Sequence, residues 1–163
     1  PRIGFVPQNL EFQRNFPIKV KELFAITLGI KKEAEIHKYL EFSKAKHLEN
    51  KKLGELSGGE LQRTLIAFVL AQEPNVLLFD EPFAGIDIGS EETIYQHIKH
   101  ITKSKKLTVI MVSHDLSIVF NLANKVICLN KTIRCVNEPR NIKENILEDL
   151  YGGEIALFEH LKH

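Results

Sequence analysis

A chain of 163 residues, 44% hydrophobic and 26% charged with a net charge of +1, carries enough apolar material for one sizeable core. Its near-neutral balance, with lysine runs such as Lys31-Lys32, Lys51-Lys52 and Lys103–Lys106 scattered among acids, argues against nucleic acid as a partner. The longest apolar run, Leu65–Ala71, is far short of the ~20 residues that span a bilayer. No signal peptide is recognised. Cys128 and Cys135 match neither a disulfide framework nor a CxxC metal pattern, so a reduced cytosolic setting is the default expectation.

In chain order, IGFVP (residues 3–7) reads as a short buried strand stopped by Pro7. Residues 9–15 are polar and read as a loop. Phe16-Pro17 is expected to open a helix in which Val20, Leu23, Phe24 and Leu28 share one apolar face, with Gly29 closing it. A second helix is expected over about residues 32–43, with Ala34, Ile36 and Leu40 inward. Residues 44–56 are polar and irregular, anchored by Leu48, Leu53 and Leu56. A third helix is expected from Gly59 to Gln72, with Leu61, Leu65, Phe68 and Val69 at helical spacing and Pro74 just beyond it.

NVLLFDEP follows, a run apolar at every position that suits a strand buried on both faces of a parallel sheet. Ser90 is expected to cap the next helix, with Glu91 and Glu92 in its first turn, and that helix runs to about Lys103. LTVIMVSHD reads as a second such strand and Leu116–Ala123 as a short helix. KVICLN and TIRCV read as a hairpin turning near Asn130-Lys131. A last helix is expected over about residues 141–150.

Polar residues therefore gather at the ends of three strands: Gln8, Asp80-Glu81 and His114-Asp115. In open α/β sheets, ligands bind outside the carboxyl ends of the strands. A strand-end carboxylate such as Asp80 can hold Mg²⁺, and a second one beside it, Glu81, can orient and deprotonate an attacking water. His114 can donate a hydrogen bond to a γ-phosphate or to that water. Each also has a plainer reading, as a turn acid or a satisfied histidine. Of the other histidines, His97 and His100 lie at i, i+3 on a charged helix and are expected to be exposed. His160 and His163 in the tail make only a weak metal-ligand set.

LSGGELQR (residues 56–63) adds a Ser and two Gly at a helix start, where orphan N–H groups and the helix dipole attract anions. The loop GxxxxGK[ST], which usually cradles a nucleotide's phosphates, is not found in the sequence, since none of the nine glycines precedes a lysine.

Taken in order, these motifs resemble the ATPase domain of an ABC transporter over nearly the whole chain. Gln8 matches the Q-loop, Leu56–Glu60 the signature (Ser57, Gly58, Gly59 and Glu60 facing the nucleotide), and Val76–Asp80 Walker B. Glu81 matches the catalytic glutamate, Asp87 in AGID the D-loop and His114 the switch histidine. The resemblance implies an α/β P-loop NTPase core: a mostly parallel sheet flanked by helices, with an inserted helical subdomain. On that pattern residues 1–8 and 59–163 form the core lobe and 9–58 the helical subdomain, incomplete at the N-terminus. The residues present would be the C-terminal portion of a longer domain, inactive alone.

The resemblance further implies ATP and Mg²⁺ as cofactors, with Asp80 and Gln8 at the metal and Glu81, His114 and Gln8 in catalysis. A second ATPase domain would pair head to tail, so that the signature acts on nucleotide held by the partner. A membrane-spanning permease would dock after Gln8, at about Phe16–Phe24, an extracytoplasmic binding protein would take part indirectly, and the site of work would be the cytoplasmic face of the membrane.

Phe83, Phe68 and Asn137 depart from residues common in the family without touching this set. The segment IGFVPQ…NFPIKVKELF and the ending LYGGEIALFEHLKH are similar to zinc/manganese-type importers, with iron-chelate or other importers as the alternative. An SMC-type ATPase head is disfavoured by the short, heptad-free stretch between Gln8 and the signature. A non-catalytic docking module is disfavoured by the retention of Glu81 and His114.

Overall fold

The computed structural model describes residues 1–8, 17–29, 33–83, 85–105, 107–142 and 146. The chain divides into two units, residues 1–114 and 115–163. The first holds β1 (Ile3–Val6), α1 (Val20–Leu28), α2 (Glu33–Phe42), α3 (Gly58–Ala71), β2 (Val76–Asp80), α4 (Ile88–Lys105) and β3 (Thr108–Val112). The three strands form one parallel sheet in the order β1-β2-β3, with Val6 opposite Phe79 and Asp80 opposite Val112. Their carboxyl ends are thus level, and the residues just past them share one edge.

α1, α2 and the segment before α3 enclose a helical core of Val20, Phe24, Ile36, Leu40, Ala45, Leu48, Leu53 and Ala67. Phe68 meets Phe24 edge-on, with ring centroids 5.6 Å apart. The expected inward face of α1 holds, and Gly29 closes the helix at φ 66°, where a Cβ would be costly. Its start is three residues later than Pro17 suggests. Lys19 stays extended, bridges to Lys52, and gives its amide to the Glu22 carboxylate at 2.9 Å. On α2, Ile36 and Leu40 are buried, whereas Ala34 is exposed.

α3 is the hinge of the packing. Its buried residues are Gln62, Thr64, Ile66, Ala67, Val69 and Leu70, while the expected Leu61, Leu65 and Phe68 are only half-buried. The reason is that α3 is covered on two sides. Ala67 and Phe68 join the helical core, and Val69 lies on β1 so closely that a Cβ on Gly4 would sit 2.5 Å from its Cγ1.

The strands are not buried on both faces as their continuous apolar runs suggest. Leu77 and Phe79 are buried, but Ile3, Phe5, Ile110 and Val112, on the opposite face, are 53–60% exposed. The register puts Asp80 on this open face too, opposite Val112.

The second unit holds α5 (Leu116–Leu122), capped by the Asp115 carboxylate, which accepts from the Ser117 amide at 2.8 Å. β4 (Val126–Asn130) and β5 (Thr132–Asn137) form the expected hairpin, turning through Lys131 at φ 56°. The expectation of unpaired cysteines is corrected. The antiparallel register sets Cys128 opposite Cys135, with Cα atoms 4.8 Å apart, and the two form a disulfide. Spacing in the sequence could not show a cross-strand register. Residues 139–141 form a 3₁₀ turn; the last expected helix otherwise falls outside the described residues, apart from Ile146.

Candidate active site

β2 delivers Asp80 to the carboxyl edge of the sheet, and the next residue turns sharply. Glu81 has φ 47°, a left-handed conformation uncommon for a side chain with a Cβ. Its amide donates to Val112 O at 3.0 Å, so the turn is tied to the neighbouring strand. Pro82 and Phe83 behind it are buried. Phe83, where the family pattern has a small hydroxyl residue, serves here as an apolar anchor for the turn.

This geometry points Glu81 at the end of β3. Its Oε1 accepts from the His114 amide at 3.1 Å and lies 2.8 Å from His114 Nδ1. An ionised carboxylate only accepts, so Nδ1 carries the proton in this pair. Glu81 is largely covered, 17% exposed, while the His114 ring is 78% exposed. A sheltered carboxylate thus holds and orients an imidazole that reaches outward. Asp80 and Gln8 stand at the same edge without being part of this pair. Gln8 is exposed in a bend after β1. The preceding carbonyl, Pro7 O, accepts from Gln62 Nε2 at 3.1 Å, which fixes that bend to α3.

The LSGGE segment, expected to be the signature, leads into α3. Ser57 is the N-cap: its Oγ accepts from the Glu60 amide at 3.3 Å, and Glu60 Oε2 accepts from the Ser57 amide at 2.9 Å. The hydroxyl accepts through a lone pair, so its hydrogen remains a donor. Nothing lies within 4 Å of a Cβ built on Gly58. The helix start is open. Glu60 Oε1 lies 2.9 Å from Lys51 Nζ. The Lys51 ammonium, and then the Ser57 amide, hold the Glu60 carboxyl at about 2, well below the usual carboxylate range.

Gly59 faces the loop that carries Asp87. A Cβ there would meet Gly85 O at 2.3 Å. Asp87, not Ser90, caps α4: its Oδ1 accepts from the Ser90 amide at 2.9 Å, which the sequence reading assigned to the hydroxyl residue. Its Oδ2 lies 2.8 Å from Arg63 Nη1. The Ser90 amide, the Ser90 side chain and the Arg63 guanidinium keep the Asp87 carboxyl below its ordinary value.

Lys51, Gln62 and Arg63 carry no role in the sequence reading. The last two stand inside the quoted LSGGELQR, and a polar residue on the buried side of a helix is the signal that marks them. His97 is a further correction. It is half-buried, its Nδ1 donates to Phe42 O at 2.8 Å, and its ring stacks on Phe42 at 4.7 Å. Its backbone position on a charged helix gave no sign of this partner on α2. His160 and His163 fall outside the described residues.

Comparison with known proteins bears on the family and the fold. A sequence profile described as "ABC transporter" matches residues 1–84. The chain is 35% identical to the zinc import ATP-binding protein ZnuC of Mannheimia succiniciproducens, over 98% of this chain and 62% of that protein. It is 37% identical to ZnuC of Buchnera aphidicola subsp. Schizaphis graminum, over 97% of this chain and 68% of that protein. The chain spans less than two thirds of the length of the Mannheimia relative.

The fold matches a metal-chelate type ABC transporter in an inward-facing conformation with TM-score 0.76 at 26% identity, covering 93% of this chain and 64% of that one. It matches the dimeric post-hydrolysis state of an ATP-binding cassette bound to ADP and Pi with TM-score 0.72 at 26% identity, covering 86% and 64%. The fold is the α/β ATPase fold of these neighbours, parallel sheet and inserted helices included, and the chain belongs to the ABC transporter family.

Proposed function

We propose that this chain is the greater part of the ATP-hydrolysing subunit of an ABC importer that moves a metal ion of the zinc or manganese class. The observation that carries the catalytic half of this reading is the Glu81–His114 hydrogen bond at the carboxyl edge of the sheet. In it Glu81 is the general base that takes a proton from the attacking water, and His114, with Nδ1–H held by Glu81, steadies the γ-phosphate through Nε2–H when its ring is the doubly protonated imidazolium. Ser57, Gly58 and Gly59 present the signature hydroxyl and open amides to a nucleotide held by a second ATPase domain, head to tail. Glu60 supports that surface through its cap, and Asp87 is the D-loop aspartate.

The oxygen donors of Asp80 and Gln8 fit Mg²⁺, a hard cation that takes carboxylate and amide oxygens. Mg²⁺ would neutralise charge on the β- and γ-phosphates. The chain's own contribution there is to present Asp80 on the open face of β2, half-buried and opposite Val112. Taken alone, the chain has no GxxxxGK[ST] loop, and we expect no ATP turnover from it by itself.

The metal cargo is inferred from the names of the ZnuC relatives, since cargo would not touch this subunit. The metal-chelate neighbour supports import of a chelated metal as the second reading, of which an iron chelate is one case. The permease would dock on the segment after Gln8, working at the cytoplasmic face of the membrane beside an extracytoplasmic binding protein. Val20 and Phe24 are wholly buried, so such a partner would meet Pro17 and Glu22 instead. Phe16 lies outside the described residues. Among the described residues no helix is long and apolar enough to cross a membrane.

The test is Glu81→Gln in the assembled ATPase that contains this chain. Turnover should fall by roughly 10²–10⁴-fold, the usual worth of a positioned general base. Undiminished turnover would refute the assignment.

A further inference from the structure

We infer that Arg63 is a positioning residue that locks the Asp87 loop to the helix that carries Ser57. This rests on the reading of the site given above and adds a residue to it. Three observations carry it.

Arg63 lies one helical turn beyond Gly59 on the same face of α3. From that face Gly59 admits the Gly85 carbonyl into space a Cβ would fill, at 2.3 Å, and Arg63 reaches Asp87 Oδ2 at 2.8 Å. The loop is therefore gripped at two points by one helix.

The Arg63 side chain is only 12% exposed, and its Nε is buried with no hydrogen-bond partner among the described atoms. A guanidinium stays charged under all ordinary conditions, so a covered one needs its counter-charge. Asp87 supplies it, while its other oxygen holds the first turn of α4. A 63% exposed aspartate thus has both oxygens engaged, one to each helix.

The third observation lies further along α4. His97 is bonded to Phe42 O and stacked on the Phe42 ring, which ties the middle of α4 to α2 in the helical layer. α4 is thereby attached to the signature's own layer both at its start and at its midpoint. The loop is thus held to α3 at Gly59 and Arg63, and α4 is held to α2 at His97.

If Arg63 positions Asp87, its loss should slow the chemical step and leave nucleotide affinity alone. The test is steady-state ATPase kinetics of the assembled protein with Arg63→Ala, Asp87→Ala and the double variant. Arg63→Ala should lower kcat by roughly tenfold to a hundredfold, the scale of a displacement near 1 Å, with KM for ATP unchanged. The double variant should be no slower than the slower single, because both remove one linkage. Multiplying losses, an unchanged kcat, or a change confined to KM would each overturn the inference.

Arg63→Met keeps much of the side chain's length and packing but not its charge, and it carries the test if Arg63→Ala fails to assemble. A reduced kcat with KM held supports the linkage, and wild-type kcat rejects it. Glu81→Gln in the same preparation separates the two levels. If its turnover is undiminished, the ATPase reading falls and this inference with it. If it is slow while the Arg63 variants are normal, the inference alone falls.

Discussion

Glu60 is a carboxylate at a helix start proposed to receive a phosphate, and its charge is answered locally. Lys51 and the Ser57 amide keep it ionised down to about 2. The sign of the consequence follows. A folded-state value depressed below the unfolded one, ~4.3, adds stability above that pH, and this is lost as pH falls from there toward about 2. Thermal midpoints of the wild type and Glu60→Gln, followed from neutral pH down to that region, should converge as the acid limb is crossed. Parallel curves would show that the Lys51 pair contributes nothing.

The adjacent glycines give a second residue-scale test. Gly58 has open space around a built Cβ, while Gly59 faces a backbone oxygen at 2.3 Å that cannot swing aside. Gly58→Ala should be neutral or slightly stabilising, since alanine is the better helix former. Gly59→Ala should cost about 1–3 kcal/mol through forced backbone shifts, read by denaturant unfolding. Equal effects would mean that the loop yields freely. The sequence shows both glycines equally; only the packing of Gly85 tells them apart.

At the scale of elements, periodicity was a sound guide to what exists and a poor one to where it begins. α1, α2, α3, α4 and the three sheet strands all stand where apolar spacing puts them, because burying a stripe dictates both period and element. The starts of α1 and α4 depend on partners distant in sequence or on choices between adjacent caps. Lys19 is drawn into a bridge with Lys52, and Asp87 outcompetes Ser90 as cap. The two-sided burial of α3 was hidden for the same reason, since one amphipathic stripe was expected and two neighbours were found.

Phe24 measures how much the helical layer depends on this packing. It is fully buried and edge-on to Phe68. Phe24→Ala should cost about 3–5 kcal/mol, the usual cost of deleting a large core ring. Phe68→Ala, in a half-buried position of the same pair, should cost less. The reverse order in chemical denaturation would mean that α3, not α1, centres this core.

For the whole molecule, the parallel pairing of the strands and the gathering of Gln8, Asp80, Glu81 and His114 at one edge were legible, because strand-end polar residues follow apolar runs three times over. What was not legible is how the sheet is covered. Ile3, Phe5, Ile110 and Val112 form an apolar face that is more than half exposed, and apolar patches of this kind drive association. A continuous apolar run is what a strand buried on both faces would show, so the sequence had no means of reporting a face left open. This predicts concentration-dependent self-association of the 163-residue chain, readable by light scattering. Changing Ile110 and Val112 together to Thr keeps strand propensity while removing much of the apolar surface, and it should shift association to higher concentration. The hairpin offers a competing surface, with Ile127, Leu129, Ile133 and Val136 also exposed. Threonines at Ile127 and Leu129 are therefore the control. Relief by the Ile110/Val112 pair alone assigns the association to the sheet, relief by the hairpin pair alone assigns it to the hairpin, and no relief from either removes apolar patches as the cause.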